Sequence, residues 1–128
     1  MKKILGLLAA LSIGAASGAG QEAQWPPVRG KALQELFAGQ DLGDGVHYAY
    51  QFHRDGQLTG TDMGKPARGT WKVTGAYLCY AWSGRRSEEE CYEVRRRGNE
   101  VRLFRDGYEA FSGSLTPLTP SPKQEEKP

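Results

Sequence analysis

Apolar and polar side chains alternate along the chain from residue 46 to residue 53. One face of this stretch is apolar and mostly aromatic, and it consists of Val46, Tyr48, Tyr50 and Phe52. The opposite face is mostly polar. A period of two is typical of a β-strand that buries one face, so we predict a strand here.

Six further stretches have strand-like composition, and turn signals separate them. They are residues 57–61, 68–73, 76–83, 90–96, 101–104 and 108–115. Asp55-Gly56 and Asp106-Gly107 are typical hairpin turns. About seven strands in direct succession, without intervening helices, indicate an antiparallel up-and-down sheet. Because such a sheet must curl to protect its edges, we predict a mainly β fold, a small calycin-like barrel or half-barrel.

One short N-terminal helix precedes the strands. Residues 30–39 place Leu33, Leu36 and Phe37 at helical spacing and end at Gly39. We expect this helix to cover one open end of the barrel. The predicted core consists of Leu36, Phe37, Tyr48, Tyr50, Phe52, Trp71, Val73, Leu78, Trp82, Tyr92, Val94, Val101 and Leu103.

The two ends of the chain differ from its middle. Lys2 and Lys3 are followed by an apolar run over residues 4–16 and by small residues up to position 20. This layout predicts a signal peptide over residues 1–20, and the run is short for a membrane span. We assign residues 21–29 to a linker, residues 30–115 to the β domain and residues 116–128 to a disordered Pro-rich tail. The predicted location is periplasmic or secreted, without stable membrane insertion after cleavage.

The charge balance argues against nucleic-acid binding. The chain has 17 basic and 15 acidic residues, and loss of Lys2 and Lys3 leaves 15 of each. The arginines at positions 95–97 lie among glutamates. Proteins that bind nucleic acid need a clear positive excess on one face, so we predict no nucleic-acid partner. We also predict that the protein is a monomer.

Two cysteines leave one possible intramolecular bridge. Cys79 and Cys91 lie near the ends of two predicted strands, and a hairpin between these strands places the thiols opposite each other. In that register Leu78 faces Tyr92. Because export implies an oxidising compartment, we predict a structural disulfide. A redox-active pair is the alternative, but the CxxC spacing common at such sites is missing.

Several short motifs occur in a fixed order. They are GTW at residues 69–71, Leu78-Cys79, Trp82, Cys91-Tyr92 and RLFRDG at residues 102–107. This order resembles that of an uncharacterised family of small secreted or periplasmic proteobacterial proteins, a domain of unknown function with one Cys pair. The resemblance spans about residues 30–115. It implies a β domain and an exported location, and it brings no substrate, cofactor or catalytic residue.

The sequence contains no recognisable catalytic or metal-binding motif. His47 and His53 are six residues apart, which separates their backbones by about 20 Å along a strand. Asp55 and Asp106 precede glycines, where turn formation explains them. No serine lies in a GxSxG motif. We therefore predict no enzyme activity, no cofactor and no metal.

The aromatic residues offer a better indication of function. We expect Tyr48, Tyr50, Trp82 and Tyr92 to line the mouth of the barrel, where apolar walls with polar tips suit a small ligand. Core packing is the alternative role for these side chains. The sequence therefore favours a binding module for a small molecule or an envelope component. A protein-interaction module, such as an enzyme inhibitor or an accessory subunit, is the alternative.

Overall fold

The computed structural model describes residues 24–84 and 88–118, which contain one helix and nine strands. In chain order these elements are β1 (Pro27–Val28), α1 (Gly30–Phe37), β2 (Gln40–Gly43), β3 (Tyr48–Phe52), β4 (Gln57–Asp62), β5 (Lys65–Thr74), β6 (Tyr77–Trp82), β7 (Glu90–Arg97), β8 (Glu100–Arg105) and β9 (Tyr108–Pro117). The predicted signal peptide and the tail beyond residue 118 lie outside the described residues. No helix in the described ranges is long and apolar enough to cross a membrane.

Strands β2 to β9 form a closed antiparallel barrel. Each strand pairs with the next one in the chain, and β9 returns to pair with β2 through Leu42 and Leu115. Every one of these eight strands therefore has a partner on both sides, which removes the exposed edges of the sheet. The predicted mainly β, up-and-down fold with one short helix is confirmed, and the barrel is closed.

Strand β2 is the element that the sequence prediction omitted. Its four residues, QDLG, contain one apolar side chain, and they follow the helix after only two residues. Leu42 is nevertheless completely buried, and it lies opposite Tyr50 on β3. The barrel therefore has eight strands where about seven were expected. Val46, predicted to start β3, lies in a loop and is 79% exposed.

Helix α1 covers one end of the barrel. Leu33 and Phe37 are completely buried, and the Phe37 ring lies edge-on to Phe52, with 5.0 Å between ring centroids. Burial of each such side chain contributes about 1.5–3 kcal/mol. The helix ends where the Ala38 amide donates to the Gln34 carbonyl and Gly39 adopts a φ of 78°, a conformation that favours glycine.

Most of the predicted core is buried. The predicted residues that are buried are Phe37, Tyr50, Phe52, Trp71, Leu78, Tyr92, Val94, Val101 and Leu103. The others, Leu36, Tyr48, Val73 and Trp82, pack against the core but are only partly buried. The prediction omitted Leu33, Leu42, Leu58, Tyr80 and Leu115. Leu42 and Leu58 were omitted because each is the only large apolar side chain in its strand.

Residues 24–29 lie within the predicted linker but belong to the folded domain. Strand β1 pairs with β7 on the same side as β6, just beyond the end of the β6 pairing. Val28 of β1 lies opposite Val94 of β7. Trp25 is 7% exposed, and the Arg102 guanidinium lies 4.0 Å from its ring centroid. This cation–π contact holds the start of the described chain against the outside of the barrel.

The disulfide joins Cys79 on β6 to Cys91 on β7, as predicted. The two cysteines are directly opposite each other, and Leu78 pairs with Tyr92 in the same register. Lys72 lies opposite Cys79 on β5, and its ammonium group is 3.4 Å from the Glu89 carboxylate. The bridge therefore fixes one hairpin of a barrel whose strands already pair throughout.

Candidate functional site

The up-and-down topology gathers alternate connections at the same end of the barrel. The end opposite α1, called the open end below, carries the connections at residues 44–47, 63–64 and 106–107. It also carries residues 83–84 and 88–89, the described parts of the chain between β6 and β7. Inward-facing side chains near these connections come from strands that are distant in sequence. The open end is therefore where a site can be assembled from several strands.

Aromatic side chains cluster inside the open end. Tyr50 lies at the centre of the cluster, with its ring centroid 4.7 Å from that of Tyr48 and 4.9 Å from that of Trp82. Tyr92 joins through Phe111, whose centroid is 5.7 Å from that of Tyr92 and 5.4 Å from that of Tyr48. The structure therefore brings all four predicted ligand-binding residues into one cluster.

Two members of this cluster were not predicted as site residues. Tyr80 stacks on Tyr92 with 5.5 Å between ring centroids, and its ring also lies 6.0 Å from Trp82. Phe111 reaches the cluster from β9. The spacing of two residues between Tyr80 and Trp82 places both on one face of a strand, and this signal identifies Tyr80. No local signal identifies Phe111, because it lies on β9, and closure of the barrel brings β9 beside β2.

The tyrosine hydroxyls of the cluster donate hydrogen bonds at its edge. Tyr50 donates to Asp62 Oδ2 at 3.0 Å, Tyr92 donates to Glu90 Oε1 at 2.7 Å, and Tyr48 donates to the Ser112 carbonyl at 2.7 Å. Burial, followed by the hydrogen bond to Glu90, raises the pKa of Tyr92 to about 12. Burial also raises the pKa values of Tyr48 and Tyr50. All three hydroxyls therefore remain donors at neutral pH.

A cleft of about 1020 Å³ opens beside the cluster at the open end. Tyr80 and Trp82 form its aromatic wall, and Asp62, Glu88 and Glu90 contribute carboxylates. The rest of the lining consists of Met63, Lys65, Pro66, Ala67 and Ser83. The cleft therefore combines an apolar wall with several charged groups, as ligand sites commonly do.

The four predicted ligand-binding residues have different positions relative to this cleft. Trp82 lines it directly. Tyr50 and Tyr92 are 8% and 5% exposed, and they lie behind the wall, where they hold Asp62 and Glu90 through their hydroxyls. Tyr48 lines a different groove. The interior of the barrel is thus filled by rings, and space for a ligand lies at its mouth.

The second groove, of about 850 Å³, runs along the outside of the barrel. Its lining combines polar and apolar groups, and it includes Asp44 and His47 from the loop before β3. Asp44 Oδ1 accepts hydrogen bonds from three successive backbone amides, at 2.9, 2.6 and 3.2 Å, and Oδ2 lies 2.8 Å from His47 Nδ1. These backbone bonds, led by that from Val46, lower the pKa of Asp44. Asp44 therefore organises the loop.

Among the described residues, neither histidine belongs to a group of three or more possible metal ligands. His53 bonds Thr59 Oγ1 at 2.8 Å, whereas His47 is held by Asp44 near the open end. Within the described residues, one group of possible ligand atoms lies close together, namely Cys79, Glu89 and Cys91, with all atoms within 4.8 Å. Both sulfurs are in the disulfide, so this group offers no thiolate to a metal ion.

Comparison with known proteins identifies no relative of this chain. No protein-family model, no curated protein sequence and no solved structure matches the chain. The resemblance to small secreted proteobacterial proteins therefore stays a prediction. The functional argument depends on the geometry of the open end.

Proposed function

We propose that this protein is an exported binding module that holds a small molecule in the cleft at its open end. The observation that carries the proposal is the cleft itself, which joins the partly exposed ring of Trp82 to charged groups on neighbouring strands. Its volume of about 1020 Å³ is just above the upper limit of the range usual for ligand pockets, about 300–1,000 Å³.

The cleft suits a ligand better than the outer groove does. Two large aromatic side chains among the described residues line the outer groove: Trp25 is covered by the Arg102 guanidinium at 4.0 Å, and Tyr48 packs against Tyr50 and Phe111. Trp82 keeps part of its surface exposed, and the rings of Tyr50 and Tyr80 pack edge-on against its ring. An aromatic side chain held rigidly in a cleft provides contact area at a low cost in conformational entropy. Trp82 is therefore the residue that we expect to contact the ligand most.

Export is the second part of the proposal. The leader-like residues 1–20 support it, and so does the disulfide, which is typical of oxidising compartments such as the periplasm or the extracellular space. We assign no catalytic role to the cleft and no cofactor to the protein. The proposed partner is a small molecule or a component of the cell envelope.

Native mass spectrometry of the protein, purified gently from the envelope of the cells that make it, tests this proposal. We expect a reproducible small adduct that survives buffer exchange on the wild type and is lost from Trp82→Ala. Tyr108→Ala is the matched control, because Tyr108 is 78% exposed at the same end and lies outside the cleft lining. An adduct that survives in Trp82→Ala, or no adduct on the wild type, contradicts the proposal.

A protein-interaction module is the second candidate function. Val46, Met63 and Tyr108 are 79%, 70% and 78% exposed. Val46 and Met63 lie on connections at the open end, and Tyr108 begins β9 at the same end. Exposed apolar side chains grouped on one surface are typical of docking sites. The same mass spectrum distinguishes the two functions, because a protein partner appears as an assembly of larger mass. Loss of that assembly in Met63→Ser would support this candidate.

A further inference from the structure

We propose that the molecule held in the open-end cleft is a small organic cation with apolar substituents, such as an alkylated or aryl ammonium ion. This inference rests on the proposed function and adds the chemical class of the ligand. It follows from the charges on the cleft wall, from their order across the sheet and from the hydrogen bonds that fix them.

Among the residues that the structure describes, the cleft wall carries more negative than positive charge. Asp62, Glu88 and Glu90 supply three carboxylates, whereas Lys65 supplies one ammonium group. A neutral apolar molecule that filled the cleft would remove these carboxylates from water without a compensating charge, which is costly. An anion would add repulsion. A cation is the class of ligand that gains from this wall.

The order of strands places the aromatic wall between two carboxylates. Asp62 ends β4, and Glu90 begins β7. Strand β6, which carries Tyr80 and Trp82, lies between them in the sheet, next to β7 and separated from β4 by β5. The face of an aromatic ring is negative, and tryptophan attracts cations most strongly. A cation on the Trp82 ring therefore lies between a carboxylate of β4, Asp62, and a carboxylate of β7, Glu90.

Buried tyrosines hold two of these carboxylates in place. Tyr50 donates to one oxygen of Asp62 at 3.0 Å, and Tyr92 donates to one oxygen of Glu90 at 2.7 Å. Arg105 lies 3.6 Å from the other oxygen of Glu90 and partly compensates its charge. Because fixed groups lose little freedom on binding, they favour affinity. We expect Asp62 and Glu88 to provide most of the attraction, since Arg105 already faces Glu90.

The test compares two probes of the same shape, phenyltrimethylammonium and its uncharged isostere tert-butylbenzene. Each is titrated into the full-length mature protein with an intact disulfide, and the indole N–H and backbone amide signals are followed by NMR. We expect the cation to shift the Trp82 signals and to bind about tenfold or more tightly than the isostere, a difference of the size that desolvated cation–π and charge contacts give.

Three variants test whether the carboxylates of the cleft wall cause the difference in affinity between the two probes. Glu88→Gln removes an exposed charge without disturbing the barrel, and Asp62→Asn keeps an oxygen that can accept from Tyr50. Each should weaken binding of the cation by about threefold or more. Neither should weaken binding of the isostere, because the uncharged probe no longer removes that carboxylate from water. Glu35→Gln, an equal change of charge on α1 at the other end, should leave both affinities unchanged.

The outcomes separate this inference from the proposed function. Equal binding of both probes at Trp82 overturns the cationic ligand class and leaves the cleft as a binding site. Failure of both probes to bind, while the native protein carries a small adduct, also overturns the cationic class. Failure of both probes with no adduct on the native protein overturns the proposed function, and this inference falls with it.

Discussion

Removal of the Cys79–Cys91 disulfide should lower the stability of the barrel by about 3 kcal/mol, because the bridge closes a loop with a sequence separation of 12. The expected loss comes mainly from the greater freedom of the unfolded chain. Cys79 is 1% exposed, so alanine is the suitable replacement, since a serine hydroxyl there would be buried. For a domain of about 100 residues, 3 kcal/mol corresponds to a decrease in Tm of about 12–24 °C.

Thermal unfolding followed by tryptophan fluorescence measures this effect. The Cys79→Ala/Cys91→Ala variant and the reduced wild type should unfold at similar temperatures, well below the oxidised wild type. Reducing agent should not change the Tm of the double variant. A decrease of less than about 5 °C would refute the reasoning. It would mean that the paired strands, with Leu78 opposite Tyr92, already restrict the chain without the bridge.

Two further predictions concern the backbone. In Gly69→Ala, an added Cβ would meet the backbone carbonyl of Ala81 on the neighbouring strand, so we expect a loss of about 1–3 kcal/mol in urea unfolding. Unchanged stability would mean that β5 and β6 move apart easily. The second prediction follows from the lowered pKa of Asp44, whose contribution to stability is present above its ordinary pKa of about 4 and is lost as the pH falls further. The Tm of the wild type should therefore fall more steeply than that of Asp44→Asn between pH 4 and pH 2, and parallel curves would contradict this assignment.

The strands of the barrel could be predicted where local patterns determine them. Alternation in β3 and the turn at Asp106-Gly107 are local signals, and the disulfide register follows from two cysteines in one hairpin. Strand β2 could not be predicted in this way. Its single apolar residue, Leu42, is buried only because β9 returns to it with Leu115, and that pairing joins residues far apart in the chain.

The candidate site could be predicted only in part. Tyr50 and Trp82 are expected at the mouth of the barrel from the aromatic pattern alone, whereas the 4.9 Å between their rings follows from the folded sheet. The carboxylates of the cleft have no such signal, because Asp62 precedes a turn and Glu90 follows two other glutamates, where exposed charges are common. Their position in the cleft follows from the curvature and closure of the whole sheet, which no local pattern specifies.

The position of the bound molecule is the most direct test of the central claim, that the open-end cleft is the ligand site. The measurement compares backbone amide NMR spectra of the protein purified with its ligand and of the same protein stripped by reversed-phase chromatography and refolded with its disulfide intact. We predict shift changes at Asp62, Lys65, Tyr80 and Trp82, with helix α1 unchanged. Changes confined to α1, or to the groove beside Trp25, would contradict the claim.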